Sequence, residues 1–241
     1  MRFAKKLGAA MFAAALVGLT IGIYSIVESA SERCPSGMVY IPAGRFITGI
    51  TEESLDYLYE LCNDTAGGCY KSWFAREKPR RVIQNRSFCI DRFEYPNKYK
   101  EPPESGVTWQ NAMNTCRAQG KRLCAEQEWE RACKSTWDYH WSFGDTYDDN
   151  ACNIATGAGE LSGANLKCRS FEKVYDMNGN VAEWVLNTPP GKENRDAKIV
   201  KGGSFDDQPV FTRCTFKDYR DAREEVPQIG FRCCSFPLIL K

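Results

Sequence analysis

Val174-Tyr-Asp-Met-Asn-Gly-Asn-Val-Ala-Glu-Trp184 is the stretch on which the reading of the fold turns. Val174 to Met177 and Val181 to Leu186 have the form of two strands joined at Asn178-Gly179, a dipeptide that accepts the positive φ of a hairpin turn. Downstream, Ile199 and Val200 start another strand, and the chain closes on Ile229-Gly-Phe-Arg-Cys-Cys234. Upstream, Trp137 to Lys173 is rich in Gly, Asn and Asp and has no periodicity, and a loop that long inside a domain is often functional. Before it lie two helical patterns. Thr108 caps one that runs to Gln119 and stops at Gly120; the other spans Glu126 to Ser135, with acids early and Lys134 late, as the helix dipole favours. Thr51 to Cys62 also reads as a helix, with Leu55, Leu58, Tyr59 and Cys62 on one face. Short extended runs follow Cys34 and fill Val82 to Phe93, and Pro96, Pro102 and Pro103 mark an irregular connection. The sum is one α+β domain with long loops.

Composition narrows the function. The 241 residues carry 32 Lys and Arg against 31 Asp and Glu, so no basic field exists to attract nucleic acid. His140 is the only histidine, which excludes multi-histidine iron, copper or zinc centres. Arg2, Lys5 and Lys6 precede an uncharged run from Leu7 to Val27, with Ser29-Ala-Ser31 after it. That order reads as a secretory signal, and the run is also long enough to span a bilayer with the following chain outside. Residues 1–31 are therefore expected to be a signal peptide or N-terminal membrane anchor, and residues 34–241 an exported domain, periplasmic, secreted or held on the outer side of the cytoplasmic membrane. Export favours disulfides, and the twelve scattered cysteines include no CxxC pair. Cys62 with Cys69, and Cys152 with Cys168, are spaced for local bridges.

Six strings taken in order resemble the formylglycine-generating-enzyme, or sulfatase-modifying-factor, family. They are Val107-Thr-Trp-Gln-Asn-Ala-Met113, Gly120-Lys-Arg-Leu123, Glu126-Gln-Glu-Trp-Glu130, Asp176-Met-Asn-Gly-Asn-Val-Ala-Glu-Trp184, Lys201-Gly-Gly-Ser-Phe205 and Gly230-Phe-Arg-Cys233. The resemblance covers Met38 to Phe236 and implies a C-type-lectin-like α+β fold with little regular structure. It implies disulfides Cys116–Cys233 and Cys133–Cys214, while Cys34, Cys89, Cys124 and Cys234 supply two more whose pairing stays open. It also implies an activity to test. Oxidising members of the family make formylglycine from a cysteine, using copper on two active-site thiolates, which are soft ligands suited to Cu(I). That pair follows the Gly-Gly-Ser strand, where this chain reads Ser204-Phe-Asp-Asp-Gln-Pro-Val-Phe-Thr-Arg-Cys214 and has no cysteine before Cys214. Ser204 matches a family site serine, and the tryptophan expected before Glu183-Trp184 is Ala182. Copper is therefore not expected.

Calcium is. Asp176, Gly179, Val181 and Glu183 match a family calcium loop in which carboxylates at both ends join backbone carbonyls between them. Asn153-Ile154 matches the start of a second such site, whose later Asp is missing here. Asp206-Asp207 and Asp148-Asp149 read as solvated turns rather than catalytic carboxylate pairs, His140 lacks a sequence partner as a base, and Asn63 and Asn85 head glycosylation sequons. The sequence points to an exported noncatalytic module that presents Ser204, Asp206, Asp207 and Arg213, together with Asp138 to Lys167, to a protein, peptide or glycan. The alternative is a formylglycine-generating oxidase or related periplasmic oxidoreductase.

Overall fold

A computed structural model describes residues 32–77, 79–191 and 196–239; the expected leader or anchor, residues 1–31, lies outside them. Cys34–Leu238 form one compact unit, and the described residues Glu32, Arg33 and Ile239 fall outside it. There, β1 (Glu32–Arg33) is a two-residue strand.

Three helices form where capping and periodicity direct them. In α1 (Glu52–Thr65), Thr51 accepts a hydrogen bond from the Ser54 amide at 3.0 Å, and Leu55, Leu58 and Cys62 are buried. It ends before Gly67 and Gly68, both at positive φ. In α2 (Trp109–Ala118), Thr108 caps the Asn111 amide at 3.1 Å, and Ala112, Met113 and Cys116 face the core. The third helix, α3 (Glu126–Lys134), follows Ala125, which has no capping side chain. Glu128 compensates by accepting from the Ala125 amide and gripping Arg122 with both oxygens, each at 2.6 Å.

Two four-stranded sheets carry the core. One runs β2 (Met38–Ile41), β5 (Phe88–Asp91), β11 (Cys233–Ser235), β6 (Arg122–Leu123), all antiparallel. The other runs β10 (Ile229–Phe231), β7 (Ala182–Trp184), β8 (Ala197–Lys201), β9 (Lys217–Asp221), with β10 and β7 parallel. A separate ribbon pairs β3 (Gly44–Thr48) with β4 (Arg81–Asn85). Arg232 is the single residue between β10 and β11, so the chain crosses from one sheet to the other there. Trp129, Trp184, Phe88 and Phe231 are completely or almost completely buried in the packing. Among the described residues no helix is long and apolar enough to cross a membrane.

All twelve cysteines are bridged. Cys116–Cys233, Cys133–Cys214, Cys62–Cys69 and Cys152–Cys168 form as the sequence suggests, and the remaining four pair as Cys34–Cys89 and Cys124–Cys234. Successive residues of a strand point to opposite faces, which sends Cys233 and Cys234 to different partners on α2 and beyond β6. The long-range bridges close 117, 110 and 81 residues, each worth ~5 kcal/mol in the chain-entropy model, against ~2 for the seven-residue Cys62–Cys69 loop.

The expected hairpin at Asn178-Gly179 does not form. Ala182–Trp184 pairs with β8 and β10, and Val174–Met177 contributes only an isolated bridge from Tyr175 to Arg169. Asp176, Gly179 and Asn180 all have positive φ, coiling the segment into a loop. Gly179 is obligatory there, because a Cβ would lie 2.2 Å from the Asn153 carbonyl oxygen.

Candidate functional site

The Lys201-Gly-Gly-Ser204 string leaves β8 through two glycines at φ 85° and 62°. The bend is tight: a Cβ on Gly203 would meet the Phe211 carbonyl at 2.6 Å. Ser204 emerges buried and is held by Asp207, whose Oδ2 accepts from the Ser204 amide at 2.7 Å and from its hydroxyl at 2.8 Å. Asp206 accepts from Gln228 Nε2 at 2.7 Å. These residues border a cavity of about 310 Å³ whose walls include Ala182, Phe211, Phe216 and Asp218. Asp218 is ion-paired with Arg220 at 2.7 Å, whereas Asp206 and Asp207 have only neutral donors.

Of the four residues expected to present a ligand surface here, Arg213 does not. It is fully buried, its guanidinium held by both Glu77 oxygens at 2.8 and 2.7 Å, by the Val210 carbonyl at 2.6 Å and over the Phe74 ring. Arg213 is a pillar under the Ser204–Cys214 loop. Its partner lies 136 residues away, and sequence reasoning missed Glu77 because no local pattern signals so distant a pair.

A second, more open groove of about 970 Å³ lies along the irregular stretch, lined by Trp137, Phe143, Asp145, Leu166, Lys167 and Phe171. Trp137 and Phe171, which flank the Asp138–Lys167 stretch in sequence, are 59% and 72% exposed and meet edge to face at 6.3 Å. His140 is bonded through Nδ1 to Asp145, and burial pushes its pKa down despite that carboxylate. Asp148 pairs with Lys167, and the amides of Asn63 and Asn85 are taken up by the Tyr59 and Pro42 carbonyls.

The calcium expectation meets a different counter-charge. Glu183 Oε1 accepts from Arg232 Nε and Nη2, at 2.9 and 2.6 Å; Oε2 accepts from Arg232 Nε and Trp129 Nε1, at 2.8 and 2.7 Å. Three N–H groups make these four contacts, the single Arg232 Nε–H being shared between the two carboxylate oxygens. Arg232 Nη2 also donates to the carbonyls of Tyr175 and Asp176, at 2.8 and 3.3 Å, so one guanidinium ties both ends of the loop. Asp176 Oδ2 takes the Gly163 amide at 2.6 Å. At the second expected site, Asn153 is occupied by Thr156, Ala158 and Asn180, and Ile154 packs beside the Cys152–Cys168 bridge. Among the described residues no three His, Cys, Asp or Glu side chains converge to hold a metal ion. Of the residues expected to hold calcium, Glu183 is engaged by Arg232 and Trp129 and Asp176 by the Gly163 amide.

Sequence reasoning also missed Glu94. It is buried beneath this loop, accepting from Ser162, Asn180 and the Val181 amide, and burial together with Asp176 and Glu183 holds its pKa well above the ordinary carboxylate range. Burial likewise raises Asp176 to about 7.

This α+β architecture, with two sheets joined at Arg232, is that of a known class of domain. Residues 94–235 match the sulfatase-modifying factor enzyme 1-like domain, and the chain belongs to that family. It is 29% identical over 157 residues to the mouse inactive C-alpha-formylglycine-generating enzyme 2, covering 56% of this chain and 49% of that one. It is 27% identical over 200 residues to the formylglycine-generating enzyme of Thermomonospora curvata, covering 69% and 62%. The structure of PvdO from Pseudomonas aeruginosa superposes with a TM-score of 0.64 at 18% identity, covering 83% of this chain and 94% of that one, a likeness of fold alone. The chain spans 37% to 62% of the length of these curated relatives and of a Chlamydia caviae protein named serine/threonine-protein kinase pkn1.

Proposed function

We propose that this chain is an exported, noncatalytic member of its family, a binding or structural module that offers the cavity beside Ser204 and the aromatic groove beside Trp137 to a protein, peptide or glycan. One observation carries the reading: the loop from Ser204 to Cys214 has two aspartates where thiolate chemistry needs two free cysteines, and every cysteine of the chain is in a disulfide. A relative named as inactive is among its matches. Six disulfides support an oxidising compartment and therefore export. Residues 1–31 serve in this reading as the leader or anchor, and residues 34–241 as the module. Loops fixed by disulfides suit recognition, since little conformational entropy remains to be lost on binding.

The alternative, a copper oxidase or related oxidoreductase, requires a reduced thiol pair. Purified protein is to be loaded with Cu(I), incubated with a cysteine peptide and examined by mass spectrometry for formylglycine, with thiols counted in denaturant. No product and no thiols before reduction are expected; formylglycine above background would overturn the noncatalytic reading.

A further inference from the structure

The groove along the irregular stretch shares no lining residue with the cavity beside Ser204, and its chemistry is different. A tight turn supplies part of its wall. The Lys173 amide donates to the Ser170 carbonyl and the Ser170 amide to the Val174 carbonyl, both at 2.9 Å, which leaves Phe171 and Glu172 at the tip. The two diverge there. Phe171 stands in solvent, whereas Glu172 turns back to accept from Arg131 and Ser135, at 2.8 and 3.0 Å. The acid of the turn is engaged inside the fold, and the cations beside it are not. Arg169 and Lys173 flank the tip, line the groove and have no acidic partner among the described residues. The lining also includes Lys167, Asp148 and Asp145, of which Asp148 pairs with Lys167 at 3.4 Å and Asp145 is bonded to His140. Both unpartnered charges of the lining are therefore positive.

Three large apolar side chains line the same groove: Trp137, Leu166 and Phe171, all more than half exposed. An exposed apolar patch rimmed by charge marks an interaction surface. The indole and phenyl planes are inclined at 70°, forming a corner that meets a side chain on two sides, whereas a sugar ring stacks on one flat face. At about 970 Å³ the concavity lies at the upper end of ligand clefts, roughly 300–1,000 Å³, and exceeds what one side chain fills. Ser142 adds a polar group to the wall. Its amide is fixed by Asn178 Oδ1 at 2.8 Å, it is 4% exposed, and its hydroxyl has no hydrogen-bond partner among the described residues. A buried hydroxyl without a partner is costly, and a ligand in the groove can supply the missing one.

We infer that this groove binds an extended acidic peptide, with an apolar side chain held against Trp137 and Phe171 and neighbouring carboxylates paired with Arg169 and Lys173. Arginine takes a carboxylate through two parallel N–H donors, and clustered cations read acidic motifs in this way. The inference rests on the binding-module reading and names the class of partner.

The test uses the full disulfide-intact chain and three capped hexapeptides, measured by calorimetry. They are Gly-Glu-Leu-Glu-Leu-Gly, its glutamine counterpart, and Gly-Glu-Ser-Glu-Ser-Gly, which keeps the charge and lacks the apolar side chains. Oligogalacturonate and phosphatidylglycerol vesicles are two further anionic probes. The acidic leucine peptide is expected to bind at least tenfold more tightly than either counterpart. Arg169→Gln and Phe171→Ala are each expected to weaken it about fivefold, with thermal melting unchanged because both side chains are exposed, and raised salt to weaken it further. Equal binding of glutamate and glutamine peptides, or an unchanged affinity in Arg169→Gln, would overturn the proposal. So would no binding of any of the three peptides. Tighter binding of oligogalacturonate than of peptide would assign the groove to an anionic glycan. Vesicle binding that falls in Arg169→Gln, without peptide binding, would assign it to a lipid surface; either result overturns the peptide. Formylglycine formation on a cysteine peptide would sink the noncatalytic reading itself, whereas absent turnover with absent peptide binding sinks only this inference.

Discussion

The loop from Asp176 to Glu183 and the loop from Ser204 to Asp207 both place acidic residues beside Gly-containing bends, and in sequence they look alike. In the fold they differ in what answers the charge. Glu183 is buried and engaged by a guanidinium and an indole N–H, while Asp206 and Asp207 sit at a cavity wall with only neutral partners. A carboxylate whose charge is matched inside the protein holds the fold together; one left unmatched at a surface remains available to a ligand. The two sites should therefore respond to substitution in opposite ways.

The largest effect is expected at Arg232. Replacing it with Met leaves Glu183 buried without its ion pair and unties the residue that joins the two sheets. Breaking one side of such a pair costs about 3–5 kcal/mol. At roughly 2–4 °C per kcal/mol for a domain of this size, the melting temperature should fall by about 6–20 °C. Adding Glu183→Gln should recover part of the loss, since the orphaned charge is then removed. A fall of only a degree or two in Arg232→Met would break the comparison at its stronger end.

Next in size is a pH effect from the same loop. Asp176 has a folded-state pKa of about 7 against an ordinary 3.8, and Glu94 is shifted in the same direction. The folded protein therefore holds more protons than the unfolded chain between those values. Stability contributed by these groups is greatest at low pH and declines as pH rises through about 7. Asp176 alone accounts for at most about 4 kcal/mol of that slope. Thermal melting should move downward between pH 5 and pH 8, and Asp176→Asn, which keeps an acceptor for the Gly163 amide, should flatten the curve. A melting temperature that rises over that interval would contradict the burial of these two acids.

Much of this arrangement could be read before the structure, and what could not shares one physical cause. The three helices are legible because capping residues and apolar spacing act within a few residues: Thr108 caps where expected, Thr51, read as the first helical residue, caps instead, and the faces bearing Leu55, Leu58 and Met113 are buried. The disulfides Cys116–Cys233 and Cys133–Cys214 were accessible through the family resemblance. The hairpin failed because Asn178-Gly179 supplies positive φ equally well to a turn or to a coil, and contacts with Asn153, Glu94 and Arg232 select the coil. Arg213 reads as a surface cation until Glu77, 136 residues earlier, is brought beneath it. The calcium expectation came from the match of Asp176 to Glu183 with a family loop, and such a match carries no information about a guanidinium arriving from residue 232. Local rules thus locate the acidic loops, while long-range packing decides which charge is free.

A smaller effect is expected at the cavity. Asp206 is exposed and accepts a single hydrogen bond from Gln228, so Asp206→Asn should change stability by no more than about 0.5 kcal/mol. Asp207→Ala removes the acceptor for both the Ser204 amide and its hydroxyl and should cost about 1–2 kcal/mol by denaturant titration. A loss at Asp206 comparable to that at Arg232 would mean that the cavity acids carry structure and are not free for a ligand.

The smallest expected effect is that of a chelator. If Arg232 supplies the positive charge of the Asp176–Glu183 loop, removing divalent cations should leave the melting temperature within about 1 °C, since no engaged carboxylate has lost a partner. The comparison is sharpest in the variant: Arg232→Met frees all but one of the Glu183 contacts, that from Trp129, and leaves the Glu183 charge without its ion pair. Calcium added to that variant should raise its melting temperature while leaving the native protein unchanged, because only the variant has carboxylate oxygens to offer a cation that prefers six to eight of them. If chelation instead destabilises the native protein by several degrees, a cation shares the loop with Arg232, and the distinction between matched and unmatched acids must be redrawn to include it.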